Sequence, residues 1–367
     1  MGPALSVVHG TRATSVSSML LPIYLVSRNG VKNTGGVERV VHLLQNDLIR
    51  HGAQVALVDE ATVLPQFLRG KRITQFLFPL AASAWLWVRR ISGHRFETIS
   101  NSSYTPVYPS EAVIVHGSAT GYIRALAGSG NRFLGMRVLA LLEGMTMRRA
   151  RRVVCVSEAV RDICVAAHGV PAEKCTVIHN GIDASVFRPR PKFVGDKVRL
   201  GFAGRLEYGK GLPYLIDIAR WVGTQRDIEL TIATTSDAPV ALQGLPNVTI
   251  MSGLAPQRMG EFYDRIDVMV FPSLFEGFEL VTLEALASGV SVLGTRVGAC
   301  DVFLRQGVPW VSELPADSAA FFEQAPGIFA RLRQHSDPAA MHALIARSFS
   351  IARFCDQLRA QLQLLNS

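Results

Sequence analysis

Short apolar runs, polar turns and longer amphipathic stretches follow one another along the chain in a repeating order. The runs LLPIYLV (20–26), AQVALV (53–58), AVIVHG (112–117), RVVCVSE (152–158), VRLGFAGRL (198–206), IELTIAT (228–234), PNVTIMSG (246–253) and IDVMVF (266–271) each predict a strand. Several are apolar on both faces, the pattern of a strand covered above and below in a parallel sheet. Helical spacing predicts helices from Val37 to about His51, over Ala159–His168 and 211–221, and one with Leu280, Leu283, Leu286 and Ala287 along a single face. A last amphipathic helix, Ser348–Gln363, is expected to cross back to the first half of the chain. Strands that alternate with helices pair in parallel through crossovers, so the fold class is α/β with doubly wound sheets.

Two stretches stand outside this order. ITQFLFPLAASAWLWV (73–88) is the most apolar segment and is bracketed by Lys71-Arg72 and Arg89-Arg90. It contains Pro79 and is shorter than the roughly 20 residues of a membrane span. It predicts either a buried helix or an interfacial segment with Trp85 and Trp87 at headgroup level. The segment 132–152 repeats this character and carries Arg148, Arg149, Arg151 and Arg152 just before a strand. FRPRPKFVGDK (187–197) is rich in Pro and charge and reads as a linker. The 367 residues therefore divide into a first domain over 1–190 and a second over 191–347, with 348–367 returning to the first. The first 18 residues have no basic stretch ahead of an apolar one and make no signal peptide; Met19 offers an alternative start.

Chemistry-bearing residues collect where strands give way to helices. Ligands of open parallel sheets lie beyond the carboxyl ends of the strands, and helix N-termini favour anions there. After IDVMVF comes PSLFEGFEL, with Glu276 in the loop and Glu284 eight positions on inside the helix. After VRLGFA comes GRLEYGKG, whose Arg205 and Lys210 carry the charge that a diphosphate leaving group requires. Gly35-Gly36, ahead of the first helix, lets backbone approach a phosphate closely. His116 ends a strand, and Asn180-Gly181 lies in a turn.

These segments resemble the motifs of GT4-type retaining glycosyltransferases, the glycosyltransferase group 1 family with the GT-B fold. Glu276 and Glu284 are similar to that family's E-x7-E, and Gly204–Gly211 to its G-R-L-x-x-x-K-G. Gly35, Gly36 and Glu38 resemble its GG-x-E, His116 its strand-end His, and 180–183 its NG-[VI]-D hallmark. The resemblance covers most of 20–300 and implies two doubly wound, Rossmann-like domains facing across a cleft. It implies transfer of a sugar from a nucleotide-diphosphate donor, with retention and without a metal. By match, His116 and Glu276 would position the sugar, Arg205 and Lys210 would offset the diphosphate charge, and Glu284 would hold the ribose. Gly35, Gly36, Asn180, Gly204, Gly277, Phe278, Glu279, Leu280 and Val281 would complete the donor site. The chain departs from the commonest pattern at Glu279, where Gly is frequent, and at Ser291, where Pro is frequent. TTSDAP (234–239) stands where relatives place Gly-Asp-Gly.

Composition narrows the partners. Apolar residues make up 49% and charged residues 18%, ordinary values for a globular α/β protein. The net charge of +9 is lopsided: 1–190 carries 22 Lys and Arg against 11 Asp and Glu, and 191–367 carries 16 against 18. No nucleic-acid recognition motif accompanies the basic half. An anionic membrane surface would attract it, each basic group near such a surface being worth about 1 kcal/mol. The expectation is therefore a glycan or lipid-linked acceptor, of lipopolysaccharide or other surface-polysaccharide type. The enzyme would be cytoplasmic and peripheral at the inner face of the cytoplasmic membrane. Cys155, Cys164, Cys175, Cys300 and Cys355 form no C-x-x-C pair and have no companion His at ligand spacing, so buried free thiols of a reducing compartment are expected. Rival readings are another GT-B enzyme, either an inverting transferase or a nucleotide-sugar epimerase, and a scaffold that binds nucleotide sugar without turning it over. A Rossmann oxidoreductase lacks support, because no G-x-G-x-x-G precedes a helix with an acid at the next strand end.

Overall fold

The computed structural model describes residues 21–30, 36–127 and 134–362. The first-loop glycine Gly35 lies outside the described residues, whereas Gly36 opens the first helix. One sheet is built from β1 (Ile23–Val26), β2 (Val55–Val58), β3 (Glu97–Asn101), β4 (Ala112–Val115), β5 (Arg152–Cys155) and β6 (Cys175–Val177). All its pairings are parallel, in the order β2-β1-β3-β4-β5-β6. Its crossovers carry α1 (Gly36–Arg50), α2 (Glu60–Val63), α3 (Thr74–Ile91), α4 (Ala119–Ala125), α5 (Leu134–Arg149) and α6 (Glu158–His168).

The second sheet holds β7 (Val198–Ala203), β8 (Ile228–Thr234), β9 (Val248–Ser252), β10 (Val268–Phe271), β11 (Ser291–Gly294) and β12 (Val311–Glu313). Its order is β12-β11-β10-β7-β8-β9, again all parallel. The strand sequence reverses direction between β7 and β10, so the loops after these two strands part on opposite sides and leave a crevice. Around this sheet lie α7 (Leu212–Val222), α8 (Met259–Asp264), α9 (Leu280–Ala287), α10 (Gly298–Arg305) and α11 (Ser318–Gln334). The chain ends in α12 (Pro338–Ser348) and α13 (Ile351–Leu362).

The chain passes between the two sheets twice, and the passages touch. Ile182 pairs with Ser350 in a parallel bridge, Ile182 N–H donating to the Phe349 carbonyl and Ile351 N–H to the Ile182 carbonyl, each at 2.9 Å. A Cβ on Gly181 would lie 2.3 Å from the Ser350 oxygen, so only glycine fits this crossing. Beyond it, Arg359 of α13 pairs with Asp47 of α1.

Three sequence expectations change in the structure. α9 is not one-sided: Leu280 and Thr282–Ala287 are all buried, because α12 covers the far side and His342 Nδ1 reaches the Ala287 carbonyl at 2.7 Å. α3 is a half-buried helix, with Phe78, Ala82 and Leu86 in the core. Trp85 turns inward, edge-on to Tyr24 with ring centroids 5.2 Å apart, and Trp87 donates its indole N–H to the Val107 carbonyl. The Trp87 indole N–H is therefore engaged within the protein although its ring stays exposed, and Trp85 is half-buried. Among the five free thiols Cys175 is only half-buried, since β6 is an edge strand of its sheet.

Asp267 ties the second sheet to the linker. It is fully buried and accepts from Phe193 N–H, from Arg199 N–H and from two guanidinium nitrogens of Arg199, at 2.6–3.0 Å. Removing one partner of such a pair leaves the other charge stranded, at a cost of roughly 3–5 kcal/mol. Asp267→Ala is expected to destabilise this domain by that amount in urea melts followed by circular dichroism.

Candidate functional site

A cavity of about 810 Å³ lies between the carboxyl ends of the two sheets. The first domain contributes Glu38, Arg39, Tyr104, His116, Glu143 and Asn180 to its walls. The second contributes Gly204, Arg205, Lys210, Thr234, Phe278–Val281 and Glu284. The loops after β7 and β10 thus meet in the crevice that the strand order creates.

The β7 loop turns sharply through the 3-10 segment Tyr208–Lys210. Leu274 N–H donates to the Gly209 carbonyl at 2.9 Å and lays the β10 loop beside this turn. Lys210 Nζ then reaches Glu276 Oε1 at 2.5 Å. Arg205 stands at the mouth, largely exposed, and pairs with Glu207 at 2.9 Å. Gly277 lies directly behind His116, where a Cβ would come within 1.9 Å of the His116 carbonyl oxygen. Phe275 makes a similar contact across the gap with Gly121 of α4, where a Cβ would meet the ring at 2.3 Å. Residue 277 thus has to be glycine for the two domains to approach.

His116 donates from Nε2 to Asn101 Oδ1 at 2.7 Å. Burial lowers its pKa to about 4, so the ring is neutral across the physiological range. Its Nδ1 is buried and has no partner among the described residues, leaving an acceptor available. Asn180 donates Nδ2 to the Phe278 carbonyl at 3.1 Å, and the Phe278 ring stacks on His179 with centroids 4.7 Å apart. The loop that leads into α9 is therefore held from the first domain.

Glu284, inside α9, is buried and already bonded twice. Arg39 of α1 donates to Oε1 at 2.7 Å, and Tyr263 of α8 donates its hydroxyl to Oε2 at 2.9 Å. Burial raises its pKa and the Arg39 charge opposes the rise. Glu279 points away from the loop backbone and accepts from Ala299 N–H at 2.8 Å and Cys300 N–H at 3.1 Å, at the N-terminus of α10. Burial, and next the nearby Glu276 charge, push its pKa up to about 7.

Of the residues singled out in the sequence, His116, Asn180, Gly204, Arg205, Lys210, Phe278–Val281 and Glu284 line one cavity. Glu276 joins them through Lys210, and Gly277 backs the wall. Two wall residues, Arg39 and Glu143, and the fully buried Tyr263 behind Glu284 escaped the sequence reading. Arg39 follows Glu38 directly, but nothing local shows that it spans the gap. Tyr263 sits in a short helix of unremarkable pattern. Glu143, in a stretch read for its arginines, accepts from Ala119 N–H at 2.8 Å, and burial raises its pKa to about 7. Among the described residues, no group of three His, Cys, Asp or Glu could hold a metal ion.

Comparison with known proteins agrees with this geometry. A family model described as glycosyl transferases group 1 matches residues 197–328, and one described as glycosyltransferase family 4 matches residues 34–186. An uncharacterised glycosyltransferase of Methanocaldococcus jannaschii is 27% identical over 206 residues, 50% of this chain and 53% of its own length. The chain thus spans about half the length of that curated relative. The structure of sucrose-phosphate synthase from Thermosynechococcus elongatus superposes with a TM-score of 0.74 at 16% identity, covering 94% of this chain and 99% of its own. An Anabaena protein solved with UDP-glucose gives 0.63 at 17% identity, over 94% and 99% of the two chains.

Glu279 carries a pH signature that can be measured. Its folded pKa lies above the ordinary 4.5, so folding favours the protonated form. The stability this group contributes is present below about pH 4.5 and is lost as pH rises towards about 7. A shift of this size corresponds to roughly 3 kcal/mol. Glu279→Gln should remove that part of the slope when urea melts at pH 5 and pH 7.5 are compared with the parent.

Proposed function

The chain belongs to the GT4-type, group 1 glycosyltransferases of GT-B fold, and on that premise we propose that it moves a sugar from a nucleotide-diphosphate donor to a glycan or lipid-linked acceptor, with retention at the anomeric carbon. The observation that carries this reading is the Lys210–Glu276 pair at the β7/β10 crevice, facing His116 across the cavity. A diphosphate entering there competes with Glu276 for the ammonium. Lys210 turns to the phosphates, where Arg205 adds a second, forked cation. Glu276, released, accepts hydrogen bonds from the donor sugar, and the free Nδ1 of neutral His116 accepts another. The backbone amides that open α9 complete the anion site.

Bond breaking puts negative charge on the departing diphosphate, and Arg205 and Lys210 stabilise it most at that point. These two cations take the role a metal ion would otherwise fill. With retention, the acceptor oxygen approaches from the side of the leaving group. Its hydroxyl proton passes to the departing diphosphate. The Anabaena neighbour, which holds UDP-glucose in the same fold, supports a nucleotide sugar as donor.

The acceptor side faces a membrane in this reading. α3 exposes Leu77, Leu80, Val88 and Ile91 at helical spacing, and the adjoining α5 exposes Leu134, Val138 and Leu141. Gly135 of α5 rests against the Phe76 ring, so the two stripes are neighbours. Exposed Lys71, Arg72, Arg90 and Arg137 fringe them. No helix of the described residues is long and apolar enough to cross a membrane, so contact would be lateral. A lipid-linked acceptor of surface-polysaccharide synthesis at the cytoplasmic face suits this arrangement.

Thermal shift with a panel of UDP-, ADP- and GDP-sugars is expected to single out a donor, and nuclear magnetic resonance of the product to show retention. Lys210→Ala should lower turnover by roughly 10²–10³-fold in protein that circular dichroism shows to be folded. Unchanged turnover, or no nucleotide sugar that stabilises the protein, would overturn the enzyme reading. Leu80→Glu with Val88→Glu should abolish co-sedimentation with vesicles containing anionic lipid, whereas indifference of the parent to lipid charge would remove the membrane from the proposal.

A further inference from the structure

Glu284 presents a problem that the family resemblance does not solve. The residue matched to ribose binding is 4% exposed at its side chain and has both carboxylate oxygens engaged, one of them from the other domain. We propose that Arg39 is a positioning residue for the donor nucleotide: it reaches across the gap to keep Glu284 charged and fixed as the acceptor of ribose hydroxyls, and so links nucleotide binding to the approach of the two domains. The proposal rests on the nucleotide-sugar reading above.

The geometry carries it in three steps. Arg39 lies in the first turn of α1, ahead of the cavity, and both Arg39 and Glu284 line that cavity. Arg39 donates to Oε1 and Tyr263 to Oε2, so each oxygen keeps a free lone pair. Two adjacent hydroxyls on a ribose present two donors at the spacing of such a pair of oxygens. A carboxyl that took up a proton would lose half of this capacity, because its O–H becomes a donor. Burial drives Glu284 in that direction and the guanidinium holds it back, with the Tyr263 hydroxyl helping. Arg39 therefore acts on the ribose through Glu284, and its second-domain partner is in place only when the domains are together.

Lysine would not serve equally. Its ammonium supplies the charge but not a planar fork that can bond Glu284 while a further N–H stays aimed into the cavity. The Arg39 side chain as a whole is 22% exposed, and the residue lines the cavity.

The test is calorimetric titration of the full chain with UDP, ADP and GDP and with their 2′-deoxy counterparts. The parent should bind one ribonucleotide and lose roughly 10-fold or more on removal of the 2′-hydroxyl, as expected for a bond to a charged acceptor. Arg39→Gln should bind that ribonucleotide about 10-fold more weakly and lose little further with the deoxy form. Arg39→Lys should restore part of the discrimination, and it serves as the informative variant if Arg39→Gln does not fold. A structural role alone would weaken both nucleotides equally and leave their ratio intact, which would overturn the proposal. A parent that binds all three ribonucleotides and deoxynucleotides alike would overturn it too, while leaving the donor reading standing. A parent that binds none would overturn the donor reading itself.

Discussion

A carboxylate taken out of water has to be matched where it lies, or it gives up its charge. The space between the two sheets is organised by that constraint. Glu276 is matched by Lys210, Glu284 by Arg39 and Tyr263, and Glu279 by two amides of α10. These ties fix the loop after β10, the start of α9 and the approach of the first domain together. The matching is also exchangeable at two places. Lys210 and Arg39 are partly solvated cations that hold acids in the cleft, and both are the kind of group a diphosphate attracts. Ligand entry is then a redistribution of existing pairs, and no charge has to be buried without a partner.

Parallel sheet topology supplies the frame for this exchange. Reversal of strand order between β7 and β10 opens the crevice, and the loops from those strands carry Arg205, Lys210 and Glu276. Small residues let the opposing domain come close enough to complete it. Gly121 accepts the Phe275 ring, and Gly277 lies against the His116 carbonyl. A residue with any side chain at 277 would separate the neutral imidazole from the cationic turn, although neither of those groups would itself be altered.

Much of this could be read in the chain before any coordinates. Buried parallel strands such as IDVMVF and AVIVHG are apolar on both faces, and their ends mark where ligands collect. β3 was missed because ETISN is polar, yet Thr98, Ser100 and Asn101 are buried, Ser100 Oγ donating to the Ser102 carbonyl and Asn101 Oδ1 accepting from His116. β12, three residues long, is too short to register beside the helices that flank it. The one-sided pattern assigned to α9 failed for a related reason: α12, some fifty residues on, covers the side that periodicity left blank. Arg39 and Tyr263 could not be found from spacing, since what defines them is a partner more than twenty residues away in one case and more than two hundred in the other. The Glu279 substitution was visible, but its direction was not. The side chain leaves the loop for the N-terminus of α10, where Gly298 supplies the room.

The double passage of the chain at Ile182 and Ser350 has a mechanical consequence. Two backbones bonded side by side resist being pulled apart or slid past one another, but they can twist about their common line. The halves of the molecule are thereby bound like the covers of a book at its spine. Asn180 sits beside that spine and can keep its grip on Phe278 through a swing that carries the outer edges far. Such a swing would pivot with the loop that leads into α9 near its axis.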